Sequence, residues 1–257
     1  MEASVSHPRL SALIVAHNEA AQLADCLETV RFADEIVVVL DRTTDDSAAI
    51  ARGFTDHIIE GAWPLEGPRR MTGIAACTGD WILEIDADER VTPALAAEVR
   101  AVIATAARGY AKVPIANYVG GRLVRYGWGA YNGVGAKPIL FSKGAKHWGD
   151  QPVHPKLVLD GADHTLQETL IHHVDRDLHD MIDRLNRYTT AHARDMLATG
   201  QLGSLAGHVR RMVTRFWKAY VQRKGYKEGA IGLTLALFAA LYPILSYLKA
   251  KAELERR

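Results

Sequence analysis

An α/β protein built on a mostly parallel sheet is predicted by three features of the first hundred residues. Short apolar runs alternate with segments of helical spacing between residues 10 and 107. The run Glu35–Leu40 is β-branched and almost continuous, the mark of a strand covered on both faces. The run Trp81–Ile85 passes straight into Asp86-Ala87-Asp88-Glu89. A buried strand that ends in paired acids is costly unless a cation sits there.

In chain order, Leu10–Ala16 reads as the first strand. His17-Asn18-Glu19 follows it, with Asn18 a good helix N-cap ahead of Ala20, Leu23, Leu27 and Val30 at helical spacing. The second strand ends at Asp41, and the Thr43–Ser47 loop leads into a helix through Gly53. Asp56–Glu60 is a third short strand. Glu66-Gly67-Pro68 opens a helix that runs to Ala76, and Thr78-Gly79-Asp80 breaks into the strand that carries the acids. A further helix covers residues 92–107. Tyr110–Asp160 then turns rich in Gly, Trp and Tyr and reads as irregular loops. Their aromatic plates suit either sugar faces or a small core beneath long loops. Leu178, Met181, Ile182, Leu185, Tyr188, Thr189, His192 and Met196 define an amphipathic helix ending near Gly200. Residues 208–227 form a basic helix, and residues 229–248 carry no charge.

Composition narrows the class. Hydrophobic residues make up 48% and charged residues 24%, which is ordinary for a globular chain and argues against disorder. Thirty-one Lys and Arg against thirty acids leave a net charge of +1, no global attraction to nucleic acid. The two cysteines, Cys26 and Cys77, show no pairing pattern or metal spacing and read as buried, inert thiols of a reducing compartment. The segment Met1–Arg9 is short and polar, unlike a signal peptide. Neither a Gly-x-Gly-x-x-Gly after the first strand nor a P-loop occurs, which disfavours dinucleotide oxidoreductases and P-loop NTPases.

Open α/β sheets bind ligands at the carboxyl ends of their strands. Asn18 and Glu19 after the first strand, Asp41 after the second, and Asp86 and Asp88 after the fourth therefore converge on one edge. This ordered set, together with the Thr44-Asp45 loop and Gly79-Asp80-Trp81, resembles family 2 glycosyltransferases of the GT-A fold. The nearer resemblance is to the bacterial subgroup that includes lipopolysaccharide core glucosyltransferases. It is strong over about residues 10–105 and looser beyond.

The resemblance implies an inverting, metal-dependent transfer of a sugar from a UDP-sugar, with glucose the subgroup's commonest case. The implied acceptor is a lipid-linked saccharide such as a lipopolysaccharide core, at the cytoplasmic face of a bacterial inner membrane. Asp88 and His172 are the implied ligands of Mg2+ or Mn2+, with a structural role the alternative for His172. Asp86 is implied at the ribose or the metal shell, Asp41 at the nucleobase, and Asn18 and Glu19 at the walls of the base and ribose pocket. Arg70 could reach the diphosphate or stand at the surface. Where the family has a basic residue followed by Asn, this chain has Met71 in the Asn place.

The subgroup's Val-His-Glu supplies a general base, but here the residues are Val153-His154-Pro155. Asp150 is the first replacement and His154 the second; the third possibility is that no side chain does this and the protein is a non-catalytic sugar-nucleotide binder at the membrane. A polyprenyl-phosphate acceptor, which has less need of a base, is the alternative enzyme reading.

The domain expectation is a GT-A unit over residues 1–175, with donor half 8–108 and acceptor half 109–175, followed by a helical region over 176–257. The apolar stretch 229–248 offers about 20 residues, roughly 30 Å as a helix, enough to span a bilayer core. Arg210, Arg211, Arg215, Lys218, Arg223, Lys224 and Lys227 precede it among Phe216, Trp217 and Tyr220, a composition that suits anionic lipids. Positive charge on both flanks favours a peripheral helix dipping into one leaflet over a crossing. No nucleic-acid-binding motif accompanies the basic stripe.

Overall fold

Successive side chains of a strand point to opposite faces, and β1 (Leu10–Ala16) uses both. Leu10, Ala12 and Ile14 join one apolar cluster with Leu23 and Leu27 of α1 (Leu23–Thr29) and with Leu95, Val99 and Ile103 of α4 (Pro93–Thr105). Leu13 and Val15 join an opposite cluster with Ile74 of α3 (Glu66–Ala76) and with Phe141. Helices on both faces of the sheet are the doubly wound arrangement that the apolar runs predict. The computed structural model describes residues 7–127, 136–151 and 155–256. The chain divides into two compact units, Met1–Ile115 with Ala136–His172, and Ala116–Gly135 with His173–Arg257.

The first unit holds a seven-stranded sheet. Its order is β12 (Ala162–Thr165), β6 (Gly109–Val113), β9 (Lys137–Ser142), β4 (Trp81–Asp86), β1, β2 (Glu35–Asp41) and β3 (Ile58–Gly61). Strand pairs β1–β2, β1–β4, β2–β3 and β6–β12 are parallel, whereas β9 runs antiparallel to both neighbours. The sheet is therefore mixed and mostly parallel. Register sets Val15 opposite Asp86 and Ala16 opposite Leu40, so the ends of β1, β2 and β4 come level at one edge. Thr92 caps α4, its Oγ1 accepting from the Leu95 N–H at 3.1 Å, with Pro93 at the first helical position.

Two local expectations change in the first unit. Residues 110–160 are not irregular throughout: they contain β6, β9, and the antiparallel pair β10 (Lys146–Trp148) and β11 (Leu157–Leu159). The Gly and Trp content masked a short central strand, Lys-Pro-Ile-Leu-Phe-Ser, whose Leu140 and Phe141 are fully buried. Asn18 does not cap α1. It sits in the left-handed region at φ 55°, and its Oδ1 accepts from the Thr44 N–H at 2.8 Å, tying the first loop to the third. The thiols Cys26 and Cys77 are free and buried, each pushed up to about 12 by burial.

In the second unit, β7 (Ile115–Val119) and β8 (Arg122–Leu123) form a hairpin through Gly120-Gly121, both at positive φ as a two-residue turn requires. Three helices follow. α5 (Leu178–Thr199) is capped by Asp177 and ends at Gly200 in the left-handed region. α6 (Leu205–Trp217) is shorter than the basic helix expected over 208–227. It passes into a π turn at Lys218–Gln222, and Lys224 at φ 57° breaks it before the 3-10 turn Gly225–Glu228. α7 (Gly229–Glu255) buries its small residues Gly232, Ala236, Ala239, Ala240 and Ala250. Lys249 Nζ ties it to α5 through Asn186, Thr189 and Thr190.

A side chain is excluded where α3 begins. A Cβ on Gly67 would lie 1.7 Å from the carbonyl oxygen of Gly149. Gly67→Ala must push the 149–151 segment off α3, and overpacking against backbone belongs at the upper end of about 1–3 kcal/mol. Urea unfolding should show that loss; a variant as stable as the parent would mean that the contact is readily relieved.

Candidate active site

Three strand ends supply the polar edge. At the end of β2, the Asp41 carboxylate is 1% exposed and fully engaged. It accepts from Arg42 Nε and Nη2 (both 2.9 Å), from the Trp63 N–H (3.1 Å) and from Arg69 Nη1 (3.0 Å). Burial pushes this carboxyl up, but the Arg42, Trp63 and Arg69 donors outweigh it and hold it below its usual range. After β1, His17 Nδ1 lies 2.5 Å from the Asp41 carbonyl oxygen, and the Glu19 N–H donates to Ser47 Oγ. Asn18, Glu19 and Asp41 thus belong to one knot of loops beside the sheet edge.

The end of β4 is built from charge. Period-two alternation turns Ile82, Glu84 and Asp86 toward α3, while Leu83 and Ile85 face α1 and α4. On α3, Arg70 reaches the two acids at once, Nη1 to Glu84 Oε1 at 2.8 Å and Nη2 to Asp86 Oδ1 at 3.0 Å. Its Nε donates to Glu66 Oε1, and its guanidinium lies over the Trp148 ring at 5.2 Å. Three of its five N–H groups are used in this way, which leaves two for another acceptor. Glu84 also takes the ammonium of Lys146 at 2.5 Å; both side chains are 3% exposed or less. Lys137 meets Glu89 at 2.7 Å, and Glu89 Oε2 accepts the Asp86 N–H at 3.0 Å.

These cations keep two of the acids ionised. Burial raises the Glu84 carboxyl, but Lys146 and Arg70 more than offset it. Burial likewise raises Asp86, and Arg70, Lys137 and His172 bring it below its ordinary value. Glu89 shifts the other way: burial and the nearby Asp86 charge raise it more than Lys137 lowers it. Between them lies a cavity of about 180 Å3, lined by Arg70, Asp86, Glu89, Lys137, Lys146 and Trp148 among others. At about 30 Å3 per water this is the space of some six waters, room for a sugar ring.

Asp88 meets His172 across the short antiparallel pair of β5 (Glu89–Arg90) and β13 (Leu170–Asp175), in which His172 stands opposite Glu89. The His172 Nε2 lies 3.3 Å from Asp88 Oδ2. Asp88 Oδ1 is shielded from water and accepts no hydrogen bond. A shielded carboxylate oxygen without a donor is unfavourable by about 1–3 kcal/mol or more until a donor or cation arrives. That orphan oxygen beside an imidazole fits a hard divalent cation. No third His, Cys, Asp or Glu joins the two in a metal-sized group among the described residues. The protein could supply two ligands, the remainder coming from phosphate oxygens and water, a balance that Mg2+ commonly accepts.

Asp150 stands exposed at the loop after β10, with Gln151 Nε2 at 3.4 Å. The loop is fixed at its root, because Trp148 N–H meets Met71 Sδ at 3.3 Å and Gly149 packs on Gly67. Met71, in the place where the resemblance implies Asn, therefore has a packing role. His154 lies outside the described residues. Sequence reasoning passed over Glu84, Lys137 and Lys146. The parity of Glu84 with Asp86 is the available signal, since both face α3, but Lys146, one of the two cations that neutralise Glu84, comes from a strand within the Gly- and Trp-rich stretch.

The family model described as glycosyl transferase family 2 matches residues 11–154, more than half of the chain. The chain belongs to glycosyl transferase family 2. This glycosyltransferase is 24% identical to an uncharacterized glycosyltransferase of Rickettsia felis over 96% of its own length and 90% of the relative's. It is likewise 24% identical to the lipopolysaccharide core biosynthesis glycosyltransferase LpsC of Rhizobium meliloti, over 93% and 91% of the two chains. Among solved structures, glucosyl-3-phosphoglycerate synthase from Mycobacterium tuberculosis in complex with Mn2+ and UDP-glucose aligns over 44% of each chain, at 19% identity and a TM-score of 0.37. So partial a likeness carries no inference about donor or metal.

The buried pair behind Asp86 gives the glycosyltransferase a stability signature. Lys146→Met strands the Glu84 carboxylate beside Arg70 alone, and removing one partner of a buried ion pair destabilises by about 3–5 kcal/mol. The double variant Glu84→Gln/Lys146→Met should recover most of that loss in urea titration. A single variant within 1 kcal/mol of the parent would show that Arg70 alone neutralises Glu84.

Proposed function

We propose that this enzyme transfers a sugar from a UDP-sugar, UDP-glucose being the first to test, to a lipid-linked saccharide of the lipopolysaccharide core kind, with inversion at the anomeric carbon. The observation that carries the reading is the orphaned oxygen of Asp88 beside His172, two residues beyond the Asp86 carboxylate that Arg70 holds ionised. Mg2+ or Mn2+ on Asp88 and His172 would neutralise the leaving diphosphate. The two spare N–H groups of Arg70 serve the same anion from the α3 side. Asp41 receives the N–H of the base once the exposed Arg42 swings away, while Arg69 and the Trp63 amide keep the carboxylate in place. Asn18 and Glu19 border the base and ribose through the loop knot at Thr44 and Ser47.

The transfer itself is one displacement. The acceptor oxygen forms its bond to the anomeric carbon as the bond to the diphosphate breaks on the opposite face. Asp150 takes the acceptor proton, in the role that Pro155 cannot fill, and His154 is the second candidate for it. Pro155 also favours a second reading, a polyprenyl-phosphate acceptor whose nucleophilic oxygen is already ionised. Labelled UDP-sugar offered with each acceptor class separates the two readings. Protein that binds UDP with metal yet neither transfers nor hydrolyses the donor would be a binder instead.

We also propose that the helices of the second unit dock on an anionic bilayer at the cytoplasmic face of the inner membrane. One helical run, Gly225–Glu255, is long and apolar enough to cross a membrane by length and composition. Support for docking over crossing comes from how the residues divide. The small residues of α7 pack inward, while Leu233, Leu237, Leu241 and Leu248 stand outward. On α6, Leu205, Val209, Val213 and Trp217 recur every fourth residue as an exposed apolar stripe, and Arg210, Arg211 and Lys218 are exposed beside it.

Two measurements test these assignments. Asp88→Ala should abolish the manganese-dependent part of UDP binding in calorimetry; unchanged affinity in manganese rejects the ligand role. Val213→Asp should weaken binding to phosphatidylglycerol vesicles at least about tenfold, since burying one such side chain is worth about 1.5 kcal/mol or more. Equal binding by the variant removes α6 from the membrane face.

A further inference from the structure

The second unit holds a buried acid that no step of the transfer uses. Glu228, the last residue of the Gly225–Glu228 turn, is 4% exposed and stands immediately before α7. It makes no side-chain cap to its own helix. Its carboxylate closes instead on a loop a hundred residues earlier in the chain. Oε1 accepts the consecutive N–H groups of Arg125 and Tyr126 at 2.8 and 2.9 Å, and Oε2 accepts from Arg122 Nη2 at 3.0 Å. Bonds of this charge-assisted kind are about twice as strong as neutral ones, and they satisfy two backbone donors that helix and sheet leave unpaired.

The backbones around this clasp touch without side chains between them. A Cβ on Gly232 would lie 1.9 Å from the Gly225 carbonyl oxygen, and one on Gly225 would lie 2.7 Å from that of Ala219. Gly127 donates its N–H to the Arg223 carbonyl at 2.8 Å. The loop Arg122–Gly127, the turn Gly225–Glu228 and the first turn of α7 are thereby one packed body. Arg125, Tyr126, Lys224, Tyr226 and Lys227 stand exposed on it, with Lys227 Nζ 5.0 Å from the Tyr126 ring centre.

We infer that Glu228 is a positioning residue that fixes the loop Arg122–Gly127 to the docking helix, so that contact of α7 with an anionic bilayer sets where this loop stands for a bilayer-borne acceptor. The inference rests on the membrane reading proposed above. It assigns no chemistry to Glu228. The residue acts through the backbone it holds.

The test uses the full chain, wild type and Glu228→Met, which removes the acceptor oxygens, with Glu228→Gln, which keeps one of them, as the conservative control, on vesicles of phosphatidylglycerol and phosphatidylethanolamine. In wild type, vesicle binding should slow hydrogen exchange at the first turn of α7 and at the Arg125 and Tyr126 amides together, at least about tenfold at each. Glu228→Met should bind vesicles and UDP within twofold of wild type and keep the slowing in α7, but lose it at Arg125 and Tyr126. With the bilayer-embedded acceptor, its KM should rise at least fivefold while kcat changes little, and Glu228→Gln should recover part of the difference. Wild type that binds vesicles with no change at Arg125 and Tyr126 overturns the coupling alone. So does a Glu228→Met protein that retains both the slowing and the KM. Wild type that binds no vesicles overturns the membrane reading and the coupling with it.

Discussion

The guanidinium of Arg70 is the constraint on which the candidate site depends. Strand geometry brings Glu84 and Asp86 to the same face two residues apart, and like charges so close on a buried strand repel. Arg70 sits between them, Lys146 neutralises Glu84 from the other side, and Trp148 covers the cluster. Only with that arrangement can a strand drive into the centre of the sheet and still present an ionised carboxylate at its end. The cluster also joins distant parts of the first unit: α3, β4, β9 and β10 each contribute a member. The acids at the edge are thus held by the interior, and the interior is held by charge as much as by apolar packing.

Much of this was legible in the sequence, because the donor half obeys local rules. Alternating apolar runs and helical spacing located β1, β2, β4, α3 and α4. The rule for open α/β sheets, that ligands gather at the carboxyl edge, then placed Asn18, Asp41, Asp86 and Asp88 together. The pairing of Asp88 with His172 joins residues 84 positions apart; the family resemblance implied it, but spacing in the chain could not. The misreadings share a cause. Asn18 looked like a cap because it precedes an apolar-periodic segment, yet its side chain was drawn to a loop whose position only the sheet determines. The strand β9 was hidden among Gly, Trp and Tyr residues because its four apolar residues, Pro138–Phe141, give no period long enough to count. Glu84 was overlooked since Lys146, the second of its two partners, lies on a strand that spacing does not reveal.

Buried charge is satisfied differently around Glu84 in the first unit and around Glu228 in the second. In the first, acids and bases interleave in a network of side chains around a cavity. In the second, Glu228 is satisfied mainly by backbone amides, and Lys249 by carbonyl, amide and hydroxyl oxygens of α5. Side-chain pairs leave spare N–H groups that a ligand can engage, as on Arg70. Backbone clasps leave little to exchange and serve to fix one segment against another.

The antiparallel strand β9 carries a consequence for the birth of the protein. Its partner β4 is complete at Asp86, but β9 is finished only at Ser142, 56 residues later (142 − 86). At about 5–20 residues/s of synthesis, the open side of β4 stays unpaired for roughly 3–11 s. Throughout that interval the nascent chain offers the backbone edge of a strongly apolar strand, the kind of edge on which chains pair with one another. Glu84 lies on that strand before its Lys146 partner has been made. Until then Arg70 alone faces both Glu84 and Asp86, and an inward-pointing charge not fully compensated guards a strand against premature pairing, so the acid that the finished fold must neutralise protects the unfinished one.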